Sequence, residues 1–161
     1  MESQRSRRAP GVPGVPGTRR RSGPRAGRAW VVAAVLGGVP STAHALWTGG
    51  DVLRSTRAAA SLLGGTGVIR GAVAHLGVSA CWTAVLAAVD RRWPLDARTG
   101  AVAGAVIAVV DLELVGRWFP AVRELPRAAQ WADHVAFGAL VGAALRSTVD
   151  ERGAPRPHSF G

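Results

Sequence analysis

The chain has 161 residues, enough for one compact domain, and a formal net charge of +10 at pH 7. Its 20 basic residues are all Arg; eight precede Trp30 in a Pro/Gly-rich segment, and most of the others flank apolar runs. This placement is typical of a membrane protein. It argues against a nucleic-acid-binding domain, which needs a basic face with interleaved aromatic residues. The single Cys81 excludes an intrachain disulfide.

Both ends of the chain are predicted to be cytoplasmic tails. Residues 1–28 are rich in Pro, Gly and Arg, and such a segment buries too little apolar surface to offset the entropy of ordering. We therefore expect them to be disordered. Residues 147–161 form a shorter polar tail. The transmembrane domain is predicted to lie between the tails, at 29–146.

Four apolar runs lie in this domain, at 29–47, 71–89, 99–116 and 128–145. A helix rises about 1.5 Å per residue, so runs of this length cross most of a hydrocarbon core of about 30 Å. Their middles are apolar around the whole circumference, whereas the helices of a soluble bundle, the alternative, carry a polar stripe. The sequence therefore predicts an all-α, integral membrane four-helix bundle.

The first run has a second interpretation. An Arg-rich region, a short apolar core, Pro40 and then Ala43-His44-Ala45 also fit a secretory signal that is cleaved after Ala45. The three later runs would hold even a cleaved chain in the membrane. Residues 58–69 are apolar too, but they are too few to span and are predicted to lie at the interface or to re-enter it.

The distribution of Arg predicts the orientation. With the N-terminus inside, the cytoplasmic segments hold 14 Arg and the outer segments hold 6. Because cytoplasmic loops carry the excess of positive charge, both termini are expected in the cytoplasm. The use of Arg without Lys and the excess of Ala and Gly indicate a high-GC bacterial genome, so the expected location is the bacterial cytoplasmic membrane.

Two pairs of glycines predict close helix packing. Gly100 and Gly104 lie four residues apart on the third run, as do Gly138 and Gly142 on the fourth. Small residues at this spacing let helix backbones approach closely. The alternative is that a chain with 21 Gly produces the spacing by chance.

Polar residues on all four runs are expected to meet near the outer surface. The first and third runs point outward and the second and fourth inward, which places the ionisable residues within about one and a half turns of the outer ends. Such groups are costly in lipid, so they should face the bundle interior and pair. Glu113 lies on another face and is predicted to pair with Arg117. The candidate cluster is Ser41, His44, His75, Ser79, Asp111, Gln130, Asp133 and His134.

Three interpretations of this cluster remain open. The favoured one is a structural or partner-binding hydrogen-bonded network, the partner being another membrane protein or a second copy. The second is an intramembrane site for a metal ion, a proton or a lipid headgroup, used for transport. The third is membrane-embedded acid–base catalysis. No Gly-x-Ser-x-Gly motif is present, so no catalytic residue is assigned and an enzyme is disfavoured.

A metal would be held by imidazoles and a carboxylate. Such a set suits zinc, although no pair has a local ligand spacing such as His-x-x-x-His, so no cofactor is required by the sequence. The candidate ligands are His44, His75, His134 and Asp133.

Four strings carry a resemblance to a known group of proteins: GVPSTAHAL at 38–46, AHLGVSACW at 74–82, GRWFPAVRELP at 116–126 and QWADHVAFGALVG at 130–142. Together the strings resemble small uncharacterised four-span integral membrane proteins of high-GC, actinobacteria-like bacteria. The likeness covers residues 29–146. It implies a membrane location and adds no catalytic residues.

Overall fold

A computed structural model describes residues 23–153, and every regular element in that range is helical, which confirms the predicted all-α class. The main helices are α1 (Gly23–Leu36), α2 (Val39–Thr48), α4 (Val68–Asp90), α5 (Ala97–Ala108) and α7 (Arg127–Gly153). Two short helices connect them: α3 (Arg54–Ala59), with a 3₁₀ turn at Ala60–Leu63, and α6 (Pro120–Arg123). A π-helical segment, Val109–Val115, and a 3₁₀ turn, Gly116–Trp118, continue α5.

The first and last helices extend beyond the predicted runs: α1 begins before the first run, and α7 ends after the fourth. α1 begins at Gly23, and Pro24 suits its first turn because the φ of proline is already close to the helical value. α7 continues to Gly153. Residues 1–22 and 154–161, which hold most of the two predicted tails, lie outside the described residues, so the disorder of the first tail stays a prediction.

Three helical stretches are long and apolar enough to cross a membrane, judged by length and composition: Arg25–Thr48, Val68–Asp90 and Ala97–Trp118. They contain the first three predicted runs. The first stretch is interrupted at residues 37–38, between α1 and α2, and Pro40 follows in the first turn of α2. Proline has no N–H group and its ring crowds the preceding turn, which accounts for an interruption just before it.

The fourth predicted run lies in α7, which has 27 residues but is not among these three apolar stretches. Gln130, Asp133 and His134 lower the hydropathy of its first half. Between Ala129 and Leu145, Ala132 is the one exposed residue. The least apolar of the four long helices is therefore the most enclosed, and its polar side chains face protein.

The four predicted packing glycines meet where α5 crosses α7. A Cβ atom on Gly138 would collide with the carbonyl oxygen of Gly100 and lie 2.7 Å from the Cα atom of Gly104. A Cβ on Gly100 would collide with the carbonyl of Gly138, and one on Gly142 with that of Asp96. The two backbones are in direct contact, which confirms the predicted packing role of these glycines.

The connecting segments gather at two opposite ends of the bundle. At one end, Arg54 of α3 donates from Nη2 to the carbonyl oxygen of Glu124, just after α6, over 3.1 Å. At the other end, Arg146 of α7 lies 3.5 Å from Asp96, which caps α5. The backbone N–H of Thr99 donates to Asp96 and lowers the pKa of that carboxyl. Residues 54 and 124 thus lie at one end of the bundle. The α4–α5 turn lies at the other end, together with the C-terminal part of α7.

Candidate functional site

A cleft of about 740 Å³ lies between α2 and α4, in the half of the bundle that contains α3 and α6. α2 packs against α7 while α4 packs against α1 and α3, so α2 and α4 diverge. α7 and the π-helical segment form the floor of the cleft, and most of its lining is apolar. The polar lining residues are Ser41, Thr42, Ser55, Thr56, His75, Ser79, Trp82, Asp111, Gln130, Asp133 and His134.

The π-helical segment positions Asp111. It spans Val109–Val115, and the N–H of Gly116 donates to the carbonyl oxygen of Asp111, five residues earlier. A π segment widens a helix locally and rotates the residues that follow, and such segments are frequent at functional sites. Asp111 lies in this segment and lines the cleft, whereas the sequence predicted a regular helix through residue 116.

Asp111 joins α4 to α7 through one carboxylate oxygen. The indole N–H of Trp82 donates to Oδ2 over 2.9 Å, and Nε2 of His134 lies 3.4 Å from the same atom. Nδ1 of His134 is 2.7 Å from the carbonyl oxygen of Gln130, which can only accept, so Nδ1 carries a hydrogen.

Asp133 caps α2 from a different helix. Its Oδ1 atom accepts the backbone N–H of Ser41 at 2.8 Å. The first N–H groups of a helix have no intrahelical partner, and the N-terminus carries partial positive charge, so a carboxylate stabilises this position. The interruption between α1 and α2 creates the helix start that Asp133 binds.

Two further polar lining residues are tied to other elements. Gln130 is 8% exposed and donates from Nε2 to Oγ of Ser55 over 3.1 Å, which joins α7 to α3. Nε2 of His75 lies 3.0 Å from the carbonyl oxygen of Ala34, which joins α4 to α1. Ser79 is 5% exposed and lies one turn after His75.

The structure gathers seven of the eight predicted cluster residues at the cleft. His44 is the exception: it is exposed on α2 and does not line the cleft. The gathered residues form separate contacts, since Asp111 with His134, Asp133 with Ser41, and His75 with Ala34 share no hydrogen bond among them.

The four candidate zinc ligands are not brought together. His44 lies outside the cleft, and His75 and His134 bind different backbone carbonyls. Among the residues that the structure describes, no group of three or more His, Cys, Asp or Glu side chains is placed to hold a metal ion.

Comparison with known proteins adds no relative. No protein-family model matches the chain, and neither the curated proteins nor the solved structures give a significant match. The resemblance to four-span proteins of high-GC bacteria therefore stays a prediction, and the function has to be argued from the cleft.

Four polar residues of the cleft lie outside the predicted cluster: Thr42, Ser55, Thr56 and Trp82. Trp82 follows His75 by seven residues, two helical turns, so its place on the same face was a usable signal. Ser55 lies in a short connecting helix, where no pattern marks it. The predicted partner of Glu113 was wrong: Glu113 pairs with Arg127 at 2.8 Å, and the guanidinium of Arg117 instead lies 4.9 Å from the ring centre of Trp118.

Proposed function

We propose that this chain is a four-span protein of the bacterial cytoplasmic membrane with both termini in the cytoplasm. Three stretches have the length and composition to span. Large apolar side chains point outward from them, with Val31, Ile69 and Val102 between 53% and 84% exposed. α7 is long enough to be the fourth span, and it needs little hydropathy because its neighbours enclose it.

The pairing of the loops supports this topology. The two segments predicted outside contact each other through Arg54 and Glu124, and the two predicted inside contact each other through Asp96 and Arg146. We expect reporter fusions at the C-terminus and near Arg98 to read as cytoplasmic, and fusions near Gly65 and Arg123 as external. Opposite readings for Gly65 and Arg123 would contradict the proposal, because α3 and α6 share one end.

We further propose that the protein binds a small amphiphilic molecule in the cleft. The observation that carries this proposal is a cleft of about 740 Å³ with apolar walls and a few polar groups on its floor. Binding sites for small molecules have this size and this make-up. A network that served only to lock the helices would be filled by side chains, since protein interiors leave few voids larger than water.

The test is a ligand-dependent rise in the unfolding temperature of the full chain in a neutral detergent, with decanol as the probe. A ligand at about 100 times its Kd stabilises a protein by about 2.7 kcal/mol. We expect Thr42→Trp, which fills the cleft, to abolish the rise. Thr48→Trp is the matched control, because Thr48 also lies on α2 and also donates to a carbonyl four residues earlier, but it does not line the cleft. Equal rises in both variants would place binding elsewhere.

A further inference from the structure

Apart from two imidazoles, the ionisable side chains that line the cleft are carboxylates. Asp111 and Asp133 both line it, and among its described lining residues there is no Arg, although the chain holds 20. On neighbouring elements, the guanidinium of Arg54 donates to the backbone carbonyl of Glu124, and that of Arg127 donates to the carboxylate of Glu113. The other ionisable lining residues are His75 and His134.

This arrangement disfavours an anionic ligand. A phosphate or carboxylate would need Arg, Lys or free backbone N–H groups. The exposed helix start at α2 offers such an N–H at Ser41, but Asp133 already occupies it. A second anion there would lie beside two carboxylates in an apolar cleft, where like charges repel strongly.

An aromatic ring completes the floor. Trp82 is half-buried and lines the cleft, and its indole N–H is bound to Asp111 at 2.9 Å. This bond fixes the ring beside the carboxylate. Cations bind over the faces of Trp rings, with further stabilisation where water is excluded. The carboxylate of Asp111 and the ring of Trp82 therefore lie side by side in the cleft lining.

We propose that the ligand of the cleft is an amphiphile with a protonated amine head, held at Asp133, Asp111 and the ring of Trp82, with its hydrocarbon tail against the apolar walls. This inference rests on the proposed binding function and adds the chemical class of the ligand. The ammonium could belong to a single-chain amine or to an aminolipid headgroup, whose phosphate would lie farther from the two carboxylates.

The test compares decylamine, decanol and decanoate, which share one tail and differ in charge, on the full chain in neutral detergent at pH 7. We expect decylamine to bind about tenfold more tightly than decanol, and decanoate more weakly than decanol. Asp133→Asn keeps an oxygen for the N–H of Ser41 but removes the charge. It should weaken decylamine about tenfold and leave decanol unchanged.

The control is Glu124→Gln, which removes a carboxylate outside the cleft and should leave the affinities for all three probes unchanged. The same control corrects for uptake of the charged probes by the detergent. Asp111→Asn is a second variant with the same expected loss, and decanol binding shows that each variant is folded.

Equal binding of all three probes, or an unchanged preference for decylamine in both Asn variants, would overturn the amine proposal and leave the cleft as a binding site. No binding of any probe would overturn the proposed function as well. Lysophosphatidylethanolamine separates the sources: binding as tight as that of decylamine assigns an aminolipid, and weaker binding assigns a free amine.

Discussion

Gly138→Ala is expected to destabilise the protein by about 1–3 kcal/mol, although alanine is normally the better helix former. The new Cβ atom would meet only backbone: the carbonyl oxygen of Gly100, and the Cα and N atoms of Gly104 at 2.7 Å. No side chain can rotate away, so α5 and α7 must separate. Overpacking of this kind costs about 1–3 kcal/mol, and it separates the two helices that form the centre of the bundle.

Gly77→Ala is the matched control. Gly77 lies inside a long helix, as Gly138 does, but a Cβ atom there would have nothing within 4 Å. The higher helix propensity of alanine should then raise stability by up to about 1 kcal/mol. Unfolding in detergent, followed by circular dichroism, gives both values. The same substitution should therefore have opposite signs at the two positions, and a rise in stability at Gly138 would show that the α5–α7 contact is looser than described.

Asp111→Ala is expected to be the most damaging change at the cleft itself. It leaves the indole N–H of Trp82 without its acceptor and removes the contact between Asp111 and His134. A buried donor that loses its partner costs about 1–3 kcal/mol. Trp82→Phe removes the indole donor, so the double variant should lose less than the sum of the single losses, with a coupling energy of about 1 kcal/mol.

Asp96→Ala provides the additive reference for this experiment. Asp96 caps α5 at the opposite end of the bundle, and loss of such a cap costs about 1 kcal/mol. Combined with Asp111→Ala, it should give the sum of the two single losses because distant sites do not couple. Additivity of Asp111→Ala with Trp82→Phe as well would mean that the hydrogen bond between them contributes nothing to stability.

Hydrophobic runs and glycine spacing predicted the helical class, the positions of the long helices and the role of the glycines in close packing, but not that α5 and α7 would be partners. Both signals are local: the length of an apolar run and a spacing of four residues are visible in one segment. The sequence also predicted that Asp111, Asp133 and His134 lie close together, because polar groups that are costly in lipid are expected to face the interior of the bundle.

The remaining details depend on backbone geometry that no residue type specifies. The π-helical segment at Val109–Val115, which contains Asp111, consists of ordinary helix and strand formers, so no residue type marks it in the sequence. His44 follows Ser41 by three residues in the same helix, α2, yet it is exposed and does not line the cleft. Within the cleft, the predicted cluster divides into separate contacts.

The enclosure of α7 bears on how the protein is made. Its first half carries Gln130, Asp133 and His134, and insertion of polar groups as an isolated helix is costly. α7 is also synthesised after the three helices that surround it. In the proposed four-span topology, the glycines of α5 and the hydrogen-bonding groups of the earlier helices would already be available when α7 emerges. The fourth crossing would then depend on the first three, and a defect in α5 would be expected to leave α7 outside the bilayer.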